Sequence, residues 1–102
     1  MGAIPIRDGL LAEVVRTVIE DIRVSEIIDK EQEIYPRLGD AFEALKWWLS
    51  HVPDSGELID DIHWLYKQDG DLARNIPTLV VIYTFDFNCV EIRFALVRIP
   101  PI

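Results

Sequence analysis

Apolar residues in the first quarter of the chain recur at the three- and four-residue spacing that places side chains on one face of an α-helix. The stripe comprises Leu11, Val14, Val15, Val18, Ile19 and Ile22. Asp8, a favourable N-cap residue, precedes the stripe and marks the expected start of the helix. The β-branched run at residues 17–19 lowers the helix propensity, so a strand within residues 17–24 is the alternative. Residues 1–24 are therefore predicted to form an N-terminal extension, either helical or a strand followed by a helix.

Residues 25–53 show the pattern of a helical hairpin. Ser25 is suited to cap a first helix, which must end before Pro36 because the residue before a proline avoids the α-helical conformation. Asp40 and Glu43 form a start for a second helix that is similar to a capping box. The predicted buried stripe of that helix consists of Phe42, Leu45, Trp48, Leu49 and Val52. The link between the two helices is short, so they are expected to run antiparallel.

The period of the pattern changes to two in residues 60–99. Residues 62–67 are aromatic and β-prone, and residues 79–86 are apolar on both faces, which is typical of a central strand. Residues 89–99 alternate, with Val90, Ile92, Phe94 and Leu96 predicted on one side and Glu91, Arg93, Ala95 and Val97 on the other. We therefore predict a single α+β domain spanning residues 1–102. Its N-terminal helices would pack on one face of a small antiparallel sheet of three to four strands.

The composition indicates a folded globular domain. Half of the 102 residues are hydrophobic, which excludes an intrinsically disordered acidic chain. The single cysteine, Cys89, excludes an internal disulfide framework and a cysteine-rich zinc site. No stretch approaches the roughly 18 uncharged apolar residues of a membrane span, and charged residues interrupt the region where a signal peptide would be apolar. The sequence thus predicts a cytoplasmic protein with no membrane association.

The formal net charge of −8 disfavours nucleic acid as a partner. Lysine and arginine drive binding to phosphate backbones by releasing counterions, and an acidic domain repels a polyanion at long range. The acidic residues are spread over both halves of the chain rather than collected in a tail. We therefore expect a basic protein as partner, unless a locally positive groove reverses this balance.

The common motifs for nucleotide binding, metal binding and serine hydrolysis do not occur in the sequence, so no cofactor is predicted. His51 and His63 would need a third ligand, such as Asp60 or Asp61, to hold a metal. The favoured interpretation is that His51 interacts with a helix C-terminus and His63 is a surface strand residue, with no metal bound. Cys89 has no neighbouring histidine or lysine that would lower its pKa and is interpreted as a small, at least half-buried thiol.

Five basic or tyrosine side chains in the predicted sheet region are candidate catalytic residues. They are Lys67, Arg74, Tyr83, Arg93 and Arg98. If they converge on one sheet face, the cations could hold a phosphate and the group could polarise a ribose hydroxyl, as metal-free RNA cleavage requires. Tyr83 would then be either a structural or an acid/base residue. If they do not converge, they are ordinary strand residues with their tips in water. The alternation predicts Arg93 on the polar face of the last strand and Arg98 on the face of Val90.

Trp47 and Trp64 are candidate partner-binding residues. Trp47 lies about 100° around its helix from Trp48, and so towards the edge of the buried face. A tryptophan at such an edge either forms the rim of the core or anchors an interface. Trp64 follows a dense acidic cluster within residues 54–61. These tryptophans and the acidic surface would hold a basic partner or form a homodimer.

The order of these features resembles the RelE/ParE superfamily of small toxins from bacterial toxin–antitoxin pairs. The resemblance covers residues 28–99. It comprises Tyr35-Pro36-Arg37-Leu38, a helix ending in Leu49-Ser50-His51-Val52-Pro53, a link containing Gly56, an aromatic strand, and a terminal hairpin with Tyr83 in its central strand. The resemblance implies a helix hairpin packed on a curved antiparallel sheet. Members usually begin with a strand, which agrees with the strand alternative for residues 17–24.

The resemblance also implies a function. RelE-like members cleave mRNA in the ribosome through basic and tyrosine side chains on the sheet, whereas ParE-like members inhibit gyrase. Both are neutralised by an antitoxin that wraps the toxin, so an antitoxin is an expected partner. The alternative is a non-enzymatic, acidic protein–protein interaction module of the same fold, or a degenerate toxin.

Overall fold

The computed structural model describes residues 15–99. Its elements in chain order are β1 (Thr17–Glu20), α1 (Ile22–Glu31), α2 (Leu38–His51), β2 (Glu57–Leu58), β3 (Trp64–Gln68), β4 (Thr78–Phe85) and β5 (Cys89–Arg98). Short 3₁₀ turns at Pro53–Ser55 and Leu72–Arg74 lie between α2 and β2 and between β3 and β4. In this part of the chain neither helix is long and apolar enough to cross a membrane.

The five strands form one sheet in the order β1-β5-β4-β3-β2. β1 runs parallel to β5, whereas all other neighbouring strands are antiparallel. The predicted α+β class is confirmed, but the predicted antiparallel sheet of three to four strands is wrong, since the sheet is mixed and has five strands. Parallel neighbouring strands must be joined by a long connection, and the connection from β1 to β5 begins with α1 and α2. β2 was missed because its two residues are too short to show alternation.

β1 occupies a part of the chain where the first pattern favoured the end of a helix. Its β-branched side chains suit extended backbone, and its pairing with β5 satisfies the backbone groups. The Thr17 N–H donates to the Asn88 carbonyl, and the Asp21 N–H donates to the Ile92 carbonyl, both at 3.0 Å. The strand alternative is therefore correct over β1. The part of the predicted helix before Val15 lies outside the described residues.

α1 begins before its predicted cap, Ser25. Asp21 caps the helix instead, because its carboxylate accepts a hydrogen bond from the Arg23 N–H at 2.9 Å. The Ser25 hydroxyl donates to the Glu20 carboxylate at 2.8 Å. Lys46 of α2 lies 2.9 Å from the other oxygen of Glu20. This polar cluster joins β1, α1 and α2.

Both helices pack on the same face of the sheet and form the core with it. The buried apolar side chains are Val24, Ile28, Leu38, Phe42, Leu45, Leu49, Leu79, Val81, Tyr83, Val90, Ile92 and Ala95. The predicted stripe of α2 is confirmed at its phenylalanine and its two leucines. Trp48 is 38% exposed instead, and its indole N–H donates to the Ser55 hydroxyl at 2.9 Å. The predicted start of α2 at Asp40 is wrong, since the helix begins at Leu38 and no side chain caps it. Leu38, which the pattern placed in the link between the helices, is fully buried.

β5 contains a β-bulge at Arg93. Ile92 and Phe94 pair with consecutive residues of β4, so Arg93 is an extra residue between them. A bulge shifts the alternation of a strand by one position. Ala95 therefore faces the core, whereas Phe94 does not. The predicted common face of Val90, Ile92, Phe94 and Leu96 is wrong for this reason.

Candidate functional site

The face of the sheet opposite the helices, called the open face below, carries both apolar and polar side chains. Strand register places on it Ile19, Leu65, Lys67, Thr78, Val80, Ile82, Thr84, Glu91, Phe94, Leu96 and Arg98. Phe94 is 47% exposed and Leu96 is 43% exposed, whereas Ala95 between them is 1% exposed. The bulge thus places two large apolar side chains in solvent and a small one in the core.

A pocket lies at one end of the open face. Lys67, Thr78, Arg98 and Ile99 line it, and its volume is about 220 Å³. Arg98 pairs with Thr78 across β5 and β4, and Lys67 approaches from β3 on the other side of β4. The buried Thr78 hydroxyl accepts a hydrogen bond from the Gly70 N–H at 3.0 Å. Because of the bulge, Arg98 shares a face with Lys67, and its predicted place on the face of Val90 is wrong.

The pocket is locally positive in a chain that is acidic overall. The Lys67 ammonium lies 3.6 Å from a carboxylate oxygen of Asp69. Arg98 has no carboxylate within 4.0 Å among residues 15–99. Both cations therefore offer hydrogen-bond donors to an anion that enters the pocket.

The remaining candidate catalytic residues lie elsewhere. Arg74 is in a turn, with its guanidinium 3.4 Å from Asp71. Arg93 lies 3.0 Å from Glu91 and, with Phe94, lines a groove beside α1. Tyr83 is fully buried on the helix-facing side of the sheet. The structure thus brings Lys67 and Arg98 together and disperses the other three; whether any of the five is catalytic stays a prediction.

Tyr83 holds the sheet to the segment that follows α2. Its phenol donates to the Pro53 carbonyl at 2.5 Å. Burial disfavours the charged phenolate and raises the pKa of Tyr83 to about 12. The phenol therefore stays protonated at neutral pH. Two roles were predicted for Tyr83, structural or acid/base, and its position fits the structural role.

We expect folding stability to fall between pH 10 and about 12 because Tyr83 keeps its proton in the folded state after the unfolded chain has lost it. The raised pKa contributes up to about 2–3 kcal/mol to the free energy of unfolding, and this contribution is fully present below pH 10. Urea unfolding followed by fluorescence, repeated across this range, measures the effect. In Tyr83→Phe this loss should be smaller, because only the contribution of groups such as Lys46, whose pKa its ion pairs raise, remains. Tyr35→Phe retains Tyr83 and should retain the full loss. An identical loss in Tyr83→Phe and wild type would contradict this assignment.

The two candidate partner-binding tryptophans are placed differently. Trp47 is 61% exposed, and its ring centroid lies 4.2 Å from that of His51. Trp64 faces the helix side of the sheet and packs against Phe85 with ring centroids 5.4 Å apart. Trp47 therefore has the exposure of an interface residue, whereas Trp64 belongs mainly to the edge of the core.

The polar residues singled out for metal binding have local roles. The Asp60 carboxylate accepts hydrogen bonds from the backbone N–H groups of Ile62 and His63, which lower its pKa. The His63 ring nitrogen lies 2.9 Å from the same carboxylate. Within residues 15–99, no group of three or more His, Cys, Asp or Glu residues could hold a metal. Cys89 is half-buried, and burial raises the pKa of its thiol.

Sequence reasoning missed Phe94, Leu96 and Thr78 as residues of the open face. The alternation placed the first two on the same side as Val90 and Ile92, and no residue pattern marked Arg93 as a bulge. Protein-family models, curated proteins and solved structures contain no match to this chain. The geometry of the open face and its pocket therefore carries the information on function.

Proposed function

We propose that the chain is a RelE/ParE-like toxin-fold protein that acts by binding another protein rather than by cleaving RNA. The observation that carries this proposal is the placement of Phe94 and Leu96 in solvent while Ala95 occupies the core. Full burial of a side chain of their size stabilises a protein by about 1.5–3 kcal/mol, and nearly half of the surface of Phe94 and Leu96 is left exposed. A contiguous apolar surface of this kind is characteristic of a protein-binding site.

The dispersal of the candidate catalytic groups argues against RNA cleavage. Metal-free cleavage needs a general acid/base group beside the cations that hold the phosphate. Tyr83, the predicted candidate for that role, donates its hydroxyl to a backbone carbonyl on the other side of the sheet. The net charge of −8 adds long-range repulsion of RNA.

The order of elements supports the toxin-like part of the proposal. β1 precedes the two helices, and the helices precede the hairpin formed by β4 and β5. An initial strand is what the resemblance implies for the family. The helices pack together on one face of the sheet and leave the other face for binding.

Growth arrest after induced expression in a bacterial host tests the proposal. We expect the wild type to arrest growth and the double variant Phe94→Ser, Leu96→Ser to lose the arrest, because it removes the apolar surface that these side chains expose. Cellular RNA from the arrested culture should show no new 5′ ends. Circular dichroism and protein level would establish that the variant is folded and present.

Ile22→Ser combined with Ile34→Ser is the matched control. These side chains are 70% and 62% exposed and lie outside the open face, so this variant should still arrest growth. Failure of the wild type to arrest growth would refute the toxin-like activity. New RNA 5′ ends that disappear when Lys67 or Arg98 is replaced would refute action by protein binding and indicate RNA cleavage.

A further inference from the structure

We propose that the pocket formed by Lys67, Thr78 and Arg98 binds a carboxylate of the partner protein, so that the partner segment is both apolar and acidic. This inference rests on the proposed function, since it describes what lies on the open face. It also reverses, for this surface, the expectation of a basic partner that the net charge suggested.

The bulge creates the pocket. Arg98 lies five residues beyond Arg93 on the same strand, and the shift of alternation at the bulge turns it to the open face. Lys67 and Arg98 then stand on the two strands that flank β4. Neighbouring strands are about 4.8 Å apart, so the two backbones are separated by roughly 10 Å. Two long cationic side chains that reach inwards can hold one small anion between them.

The charge of the pocket selects a carboxylate. Lys67 and Arg98 contribute two positive charges and Asp69 contributes one negative charge, which leaves one positive charge to be balanced. A single carboxylate matches that charge, and the fork of an arginine guanidinium matches its two oxygens. A polyanion would bring further negative charges towards an acidic domain.

The apolar part of the partner follows from the residues beside the pocket. Leu96 lies next to Arg98 along the open face, and Val80 pairs with Lys67 on the adjacent strand. A segment with its carboxylate in the pocket therefore places its neighbouring side chains on Leu96 and Phe94. We expect alternating or closely spaced apolar residues followed by aspartate or glutamate.

Selection from a displayed library of random linear peptides tests this inference with the full-length protein. Wild type should enrich peptides that combine apolar residues with an acidic residue. The double variant Lys67→Gln, Arg98→Gln should enrich apolar peptides without the acidic preference. A selected peptide should bind the double variant at least about tenfold more weakly than wild type, since charge-assisted hydrogen bonds are lost. Replacing the acidic residue of that peptide by its amide should weaken wild-type binding similarly.

Amide chemical shifts of Lys67, Thr78 and Arg98 should change when the peptide is added. If the wild type enriches apolar peptides without an acidic residue, and their binding requires Phe94 and Leu96, the carboxylate inference is overturned and the proposed function stays intact. Peptides that bind independently of Phe94 and Leu96 would overturn both, as would the absence of any enrichment. A single-stranded RNA oligonucleotide that binds wild type but not the double variant would identify the pocket as a phosphate site and overturn the inference. A dimer of the chain that requires Phe94 and Leu96 and excludes the peptide would also overturn it.

Discussion

Gly70→Ala should destabilise the protein by about 3 kcal/mol, which lowers the melting temperature by roughly 15 °C. A Cβ at this position would overlap backbone atoms of Ile76 and Pro77. The backbone cannot retreat easily because Pro77 is itself buried. Gly70 also donates its N–H to the Thr78 hydroxyl, so the distortion should reach the pocket. Urea and thermal unfolding measure the first effect, and binding of a selected peptide measures the second.

Gly39→Ala is the control for this prediction. Its Cβ would meet only the side chain of Gln32, whose amide oxygen lies 2.7 Å away and can move. Gly39 is in α2, where alanine is the better helix former by about 1 kcal/mol. We expect stability equal to wild type or slightly higher. Equal stability of the two variants would contradict the close approach of the Ile76 and Pro77 backbone to Gly70.

Leu45→Ala should cost about 3 kcal/mol, since it leaves a cavity between α2 and the sheet. Leu45 is completely buried within the cluster that joins both helices to β4 and β5. A loss of this size is a large fraction of the roughly 5–15 kcal/mol that stabilises a domain. Equilibrium denaturation in urea gives the free energy of unfolding directly.

Leu72→Ala makes the same chemical change at a side chain that is 51% exposed. Because little burial is lost there, we expect a loss of no more than about 0.5 kcal/mol. The pair of variants separates the effect of burial from the effect of removing a leucine side chain. Similar losses at both positions would contradict the assignment of the core to the helix-facing side of the sheet.

The elements with strong local signals were predicted correctly. α2 was predictable because the apolar stripe around Leu45 marks a helix without help from the rest of the chain, although the helix begins before the predicted start at Asp40. The hairpin of β4 and β5 was predictable because both strands are long and rich in β-branched residues. β1 was only an alternative, because four residues cannot outweigh a helical pattern that continues on both sides.

The candidate site was predictable only in part. Lys67 and Arg98 were both singled out as basic residues of the sheet, and the structure brings them to one pocket. Tyr83 was grouped with them because strand position alone does not reveal which face a side chain occupies. Its burial and its hydrogen bond to Pro53 depend on a segment 30 positions away in the sequence.

The sequence by itself determined the α+β class, α2, the terminal hairpin and an acidic surface, because helix periodicity, strand alternation and charge are properties of neighbouring residues. Only the tertiary structure decided that the sheet is mixed, that Phe94 and Leu96 face solvent, and that Arg98 lies beside Lys67. The physical reason is the bulge at Arg93, which exists only where β5 pairs with β4. One unpaired residue changes the face of every side chain after it, and no local pattern in β5 records that change.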